Sequence, residues 1–539
     1  MRLKYKLGLA IVTIGIAICL MTYQSYALWI ANLAQTGENI VSVGCFDVEM
    51  EEINAPISLK NTYPVSDSKG LTQTPYTIKL SNTNCTTDAS YTITLNTLTT
   101  NTLDNSKIKF AISTGTPTSG TNLGTYASTP SNINVETGNL PVENLDQSII
   151  IQTGELRVGA SVTYNIYLWI DESAGNEVQG QTFEASINVV SSAVTLEPIT
   201  DQIIAQLDTS GACPTVNEDG TVQATAAESE NGYLCSAPDD YGTSYYYRGN
   251  VTNNYVKFGT NELGQDMYWR IIRINGDGSI RMIYDGTSTH ANGESSADRQ
   301  VGTSTFNPEH DDNAYAGYMY GTVGASTYED THANINDSTI KDYLDNWYKT
   351  NIEDKSLSSY ISDTLFCNDR SLLQEEPFEY SNWNYNQLGY GLEATAYRWF
   401  GDPSYAQPGY DAILINYPRL TCSQQNDRFT VNDEILGNGN LTYPIGLITA
   451  DEVYLAGATD MPNSGYYLYT GNMYWTMSPT GLEENVMSIR AVDMNGVSAW
   501  TNTDGDYAGN PFGVRPTINL KADSLKVGSG TANDPYRVA

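Results

Sequence analysis

Histidine is scarce in this chain, with three residues in 539. Basic residues are also few: 27 Lys and Arg stand against 62 Asp and Glu, a formal net charge of −35. That balance repels phosphate backbones and offers no basic stripe, which excludes nucleic acid as a partner. There is no CxxC and no Cys/His cluster, so zinc binding and dithiol exchange fall away. G-x-S-x-G, H-E-x-x-H and phosphate-loop motifs are absent as well. The N-terminal apolar run, Leu7 to Met21, falls short of the roughly 20 residues that a membrane span needs.

What is present fits export. Arg2, Lys4 and Lys6 precede the apolar run, and "QSYA" follows it. This pattern reads as a secretory signal peptide over 1–27, cleaved after Ala27. If Tyr23 to Leu33 extend the uncharged stretch, the same segment reads as a retained N-terminal membrane anchor. Apart from Cys19 in that run, six cysteines remain, an even number that reads as disulfides in an extracellular or cell-surface protein. Their spacing favours the sequential pairs Cys45–Cys85, Cys213–Cys235 and Cys367–Cys422. Thirty-nine tyrosines and a charged fraction of only 17% point to a mainly β protein with some α.

A chain of 539 residues is too long for one core. Residues 28–195 hold alternating runs such as "YTIKLSN", "SYTITLNTL" and "SVTYNIYLWID", broken by Gly, Asn, Pro and Asp turns. They predict an antiparallel β-sandwich, or jelly roll. Residues 196–245 read as a connector: "LEPITDQIIAQL" has helical spacing, and a disulfide-tied excursion follows. In 246–539, "MYWRIIRIN" and "SIRMIYDG" predict a hairpin turned at "NGDG". "STIKDYLDNWYKTNIEDK" predicts a helix capped by Asp337–Ser338, with Ile340, Leu344 and Trp347 on one face.

Two resemblances add to this reading. "LWIANLAQTGENIVSVG" with "ISLKNTYPVSDSKG" resembles the start of biofilm-matrix fibre proteins of the TasA/camelysin type, which implies a jelly-roll surface domain that self-associates. "DDYGTSYYYRGNVTNNYVKFG", "YWRIIRINGDGSIRMIYDG", "FCNDRS", "YWTMSP" and "FGVRPTINL" resemble a domain of uncharacterised exported surface proteins of gut Firmicutes. Their order is also similar to the C-type-lectin-like fold of formylglycine-generating enzymes, which implies an α+β domain over 246–539. The resemblance makes Trp269, Trp475, Gly513 and Arg515 structural. No cysteine follows Cys422, so the catalytic cysteines of those enzymes have no counterpart.

Candidate chemistry is thin. His290, His310 and His332 all fall in or beside a Gly/Asn/Asp-rich segment, away from any strand end; "EHDDN" offers His310, Asp311 and Asp312 as metal ligands but reads as a solvated loop. "NGDGS" reads as a turn, since it lacks the rest of a calcium loop. "TNTDGDYAGN" lies just before the closing strand, where lectin-like folds place ligand loops. Asp504, Asp506 and Asn510 offer oxygens for calcium or a glycan there, and Trp500 and Tyr507 offer rings to a sugar. Gly513 frees the backbone to enter the closing strand, and Arg515, if buried, must pair with a carboxylate or several carbonyls.

The expected function is therefore non-enzymatic: an adhesive surface or matrix protein that binds host or bacterial glycans or proteins through its last domain. One alternative is an enzyme on the lectin-like scaffold using carboxylates about 5–9 Å apart. Another is a pilin-like filament subunit that keeps its N-terminal helix.

Overall fold

The computed structural model describes residues 30–34, 49–52, 58–60, 63–83, 87–97, 101–115, 117, 119–125, 148–224, 231–380, 383–401, 416–459, 462–496, 498–499 and 507–538. The N-terminal apolar run, Cys45, Cys85, Trp500, Asp504 and Asp506 lie outside them. Among the described residues no helix is long and apolar enough to cross a membrane. The chain divides into two compact units, the first ending at Leu196 and the second running from Glu197 to Val538.

The described residues of the first unit form ten strands: β1 (Ile30–Ala34), β2 (Glu49–Glu52), β3 (Ser58–Lys60), β4 (Tyr76–Ser81), β5 (Asp88–Thr97), β6 (Ile108–Ser113), β7 (Thr121–Asn122), β8 (Ser148–Leu156), β9 (Ser161–Ile170) and β10 (Thr182–Val194). One sheet has the order β1-β10-β5-β8, with β3 also on β10; the other runs β2-β4-β9-β6-β7. From β4 to β10 the chain changes sheet at every step except β6 to β7, which is jelly-roll wrapping. Alternation in the sequence produces the buried faces, as with Tyr76, Ile78 and Leu80 on β4. Tyr91 of β5 and Tyr164 of β9 join the two sheets through hydroxyls 2.7 Å apart. Burial pushes both phenols above the ordinary tyrosine range.

In the second unit β11 (Gly232–Asp239), β12 (Gly242–Gly249), β13 (Tyr255–Thr260), β14 (Asp266–Ile274) and β15 (Ile280–Gly286) share one sheet with the closing strands Thr517–Leu520, Leu525–Val527 and Tyr536–Val538. The stretch read as a connector is thus partly sheet: β11 pairs along its whole length with β12. A short helix, Ile199–Ile204, does form there, and Cys213–Cys235 ties the excursion to β11. Cys367–Cys422 is also bonded. The "NGDG" turn spends its oxygens internally: Asp277 accepts from Ser279 N–H at 2.8 Å, Ser279 hydroxyl at 2.6 Å and Thr364 hydroxyl at 2.9 Å.

Two helices frame the core. Thr339–Tyr348 is capped by Ser338, whose hydroxyl accepts from Lys341 N–H at 3.3 Å, and it buries Ile340 and Leu344. Ala450–Ala456 carries a capping box between Thr449 and Glu452 and is buried throughout. Trp269 and Trp475 are fully buried and donate to Phe258 O at 2.9 Å and Ser304 O at 2.8 Å.

Arg515 is 1% exposed. It donates to Tyr284 O at 3.0 Å, Leu468 O at 3.2 Å and Asp285 Oδ1 at 2.7 Å, and its guanidinium lies 4.8 Å from the Tyr474 ring centre. Gly513 is required for space rather than for backbone freedom, contrary to the sequence expectation. Its φ is not positive, but an added Cβ would sit 2.7 Å from Met473 O and collide with the Gln300 side chain.

One hairpin carries a pH prediction. Strands Tyr474–Glu483 and Val486–Val492 turn through Glu484 and Asn485, both left-handed with φ of 48° and 62°. Burial, helped by Glu484, pushes the Glu483 carboxyl up to about 7. The folded state then holds more protons than the unfolded chain between about pH 4 and about pH 7, so this group's contribution to stability falls as pH rises through that window. Glu483→Gln is expected to stabilise the protein at pH 8 by about 1 kcal/mol, a figure already reduced for partial exposure. At pH 4 it should change little; equal urea-midpoint shifts at both pH values would contradict the assignment.

Candidate functional site

A groove of about 560 Å³ opens in the second unit, and three elements enclose it. The β13–β14 tip supplies Asn261, Glu262, Leu263 and Gln265. The segment after β15 supplies Thr287, Asp298 and Gln300, and the end of helix Thr339–Tyr348 supplies Trp347 and the following Asn351.

Each element is held by local bonding. At the tip, Asn261 Oδ1 accepts from Leu263 N–H at 3.0 Å and Gln265 N–H at 2.9 Å, folding the chain back within five residues. Leu263 is left 83% exposed on the rim. Under the groove, the rings of Trp269, Tyr284 and Trp347 meet edge to face at 5.6 to 6.2 Å. The helical spacing assigned Trp347 to the core face with Ile340 and Leu344. It does pack against that core, on Trp269 and Tyr284, but is only partly buried and also lines the groove. Asn351 donates to Trp347 O at 3.0 Å.

The third wall is organised by Asp298. Its carboxylate accepts from Thr287 N–H and Thr287 hydroxyl, both at 2.9 Å, from Ser296 hydroxyl, and from His290 Nε2 at 3.0 Å. Burial opposes its ionisation, but these hydrogen bonds outweigh it and hold the carboxyl well below the usual carboxylate range. The other ring nitrogen of His290 lies 3.0 Å from Glu294 Oε1. With a carboxylate opposite each nitrogen, both donate only when the ring carries two protons. Ser288 Oγ is 3.5 Å from Nε2, farther than the Asp298 oxygens at 3.0 and 3.1 Å from the same nitrogen, so the imidazole faces carboxylates rather than a nucleophile.

Behind this wall lies a buried charge cluster. Asp285 Oδ1 accepts from Arg299 Nε at 3.0 Å, Arg299 Nη2 at 2.7 Å and Arg515 Nη2 at 2.7 Å; Arg270 Nη1 is 3.9 Å from Oδ2. Arg299 Nη1 also donates to Glu294 O at 2.7 Å, so it straps the loop to the core. A second, much smaller cavity of about 20 Å³ is bordered by Arg273, Arg281, Arg419, Asp451 and Glu452. Its charges answer one another: Arg273 and Arg281 meet Glu452 at 3.0 and 2.5 Å, and Arg419 meets Asp369 at 2.8 Å. That arrangement is a structural network.

Of the residues expected in the loop before the closing strand, Tyr507 and Asn510 are described. Tyr507 bridges to Ser488 and stacks near the His310 ring, 6.5 Å between centres at 13°. Asn510 N–H donates to Tyr507 O at 2.8 Å. Neither lines the groove. Two of the three histidines are buried despite their place in that polar segment. His290 is 5% exposed, and His332 is wholly buried, its Nε2 at 2.9 Å from Gly389 O and its ring 4.4 Å from that of Tyr328. Burial pushes His332 well below the usual histidine range. In "EHDDN", Asp312 spends its oxygens on Ala314 N–H at 2.8 Å and Gly324 N–H at 3.0 Å. Among the described residues no group of three or more His, Cys, Asp or Glu is placed to hold a metal.

The groove residues have no sequence motif. Trp347 alone among them was singled out in the sequence, as a residue on the same helix face as Ile340 and Leu344, and it does pack against the core there. No protein-family model, curated protein or solved structure matches this chain.

Proposed function

We propose that this is a non-enzymatic surface or matrix protein whose second unit binds a hydroxyl-rich ligand, a glycan, in the groove beside Trp347. The observation that carries the reading is the lining itself: a partly exposed indole next to the carboxamides of Gln265, Gln300 and Asn351. Amides present donors and acceptors together, as sugar hydroxyls do, and an aromatic ring supplies apolar area to the face of a pyranose. The two disulfides are compatible with an exported protein. Against a hydrolase of the Ser-His-acid type stands the engagement of both His290 nitrogens by carboxylates.

A glycan array followed by calorimetry tests the proposal. The full chain is expected to bind a subset of oligosaccharides, and Trp347→Ala to weaken that binding by about 2 kcal/mol, or roughly 30-fold. Wild-type affinity in Trp347→Ala, with an unchanged melting temperature, would remove the groove as the site. Loss of binding on chelation would instead favour a calcium site on the loop carrying Asp504 and Asp506.

A further inference from the structure

We infer that the groove selects by charge, accepting uncharged sugar residues and rejecting those that carry sulfate or carboxylate. The inference rests on the glycan reading above and adds the class of glycan. Its basis is the sign of the groove's walls. Two carboxylates, Glu262 and Asp298, line it, and no Lys or Arg does. Asp298 stays ionised because four donors converge on it. Glu262 is exposed at the tip and makes no ion pair with a described residue.

An anionic sugar would need a cation or a set of N–H donors to replace its water. Of the lysines near in sequence, the exposed Lys355 does not line the groove, and two others are committed to carboxylates. Lys257 lies 2.7 Å from Asp266, and Lys349 lies 2.7 Å from Asp354 and 3.6 Å from Glu353. The arginines behind the wall, Arg270, Arg299 and Arg515, are 1% exposed or less and gather on Asp285. The field in the groove is therefore negative, and the chain's overall charge of −35 adds to it at low ionic strength.

The test uses the full chain and matched pairs of oligosaccharides, N-acetyllactosamine and chitotriose against their sulfated and sialylated forms. Affinities are compared at salt concentrations of about 10 mM and about 1 M, where the screening length falls from about 30 Å to about 3 Å. The neutral member of a bound pair is expected to bind at least ~10-fold more tightly at low salt, and the gap should narrow at high salt. Glu262→Lys should shrink or reverse the neutral-to-sulfated ratio. Equal or tighter binding of the anionic member at low salt would overturn the inference, as would a ratio unmoved by Glu262→Lys. If no sugar of either kind binds, the glycan reading falls and takes this inference with it. Failure of charge selection alone would leave neutral binding intact and sensitive to Trp347→Ala.

Discussion

Asp285→Ala is expected to lower the stability of the second unit by about 3–5 kcal/mol, the range for breaking a buried ion pair by removing one partner. Asp285 is the only carboxylate that the described residues place in contact with Arg270, Arg299 and Arg515. All four side chains are 1% exposed or less. Without the carboxylate, the guanidinium groups keep carbonyl partners but lose their counter-charge inside the core. Asp285→Asn keeps an acceptor of the same shape and should cost less than the alanine. In Asp285→Ala/Arg515→Met part of the loss should return, because one stranded charge is gone. Urea unfolding of the four proteins reads these differences. A loss under about 1 kcal/mol for Asp285→Ala would mean that water reaches and solvates the cluster. Because Arg299 straps the loop that carries Asp298, the alanine variant should also weaken hydrogen-exchange protection across the groove wall.

The second large effect concerns Cys367–Cys422, which closes a loop of 55 residues. Cys367→Ser/Cys422→Ser is expected to cost about 4 kcal/mol by loop entropy, against about 3 kcal/mol for the 22-residue loop of Cys213–Cys235. In a unit of this size the larger loss corresponds to a fall in melting temperature of about 5 °C. The bond joins strand Phe366–Cys367 to the segment that leads into strand Arg428–Phe429, and these two strands pair directly. Cys422 is 1% exposed, so the serine variant also buries a hydroxyl there. Calorimetric scans of both double variants decide the matter; a larger loss for Cys213→Ser/Cys235→Ser would contradict the loop-entropy ordering.

Much of the scaffold was legible before any coordinate. Alternation in "YTIKLSN" and "SVTYNIYLWID" marked β4 and β9 because a strand half-buried in a sheet must alternate. Ser338 marked a helix start because its hydroxyl satisfies a backbone N–H that the helix leaves open. The even cysteine spacing anticipated the two bonds formed by Cys213, Cys235, Cys367 and Cys422. Each of these signals is local, spanning a few residues or a single closed loop.

The site was not legible, for the converse reason. Arg515 could be read as needing a carboxylate, yet its partner Asp285 lies 230 residues away among 62 acidic residues. His290 looked like a loop residue until Glu294 and Asp298 closed on it from either side. Trp347 has the spacing of a core residue and packs as one, and only the approach of the β13–β14 tip and the segment after β15 leaves a groove beside it. By itself, then, the sequence determined where strands, caps, turns and two cross-links form, because neighbours along the chain decide those. Tertiary structure alone decided which carboxylate neutralises which buried arginine, and which aromatic is left facing solvent. Those outcomes depend on the packing of segments far apart in the chain, and no local pattern records it.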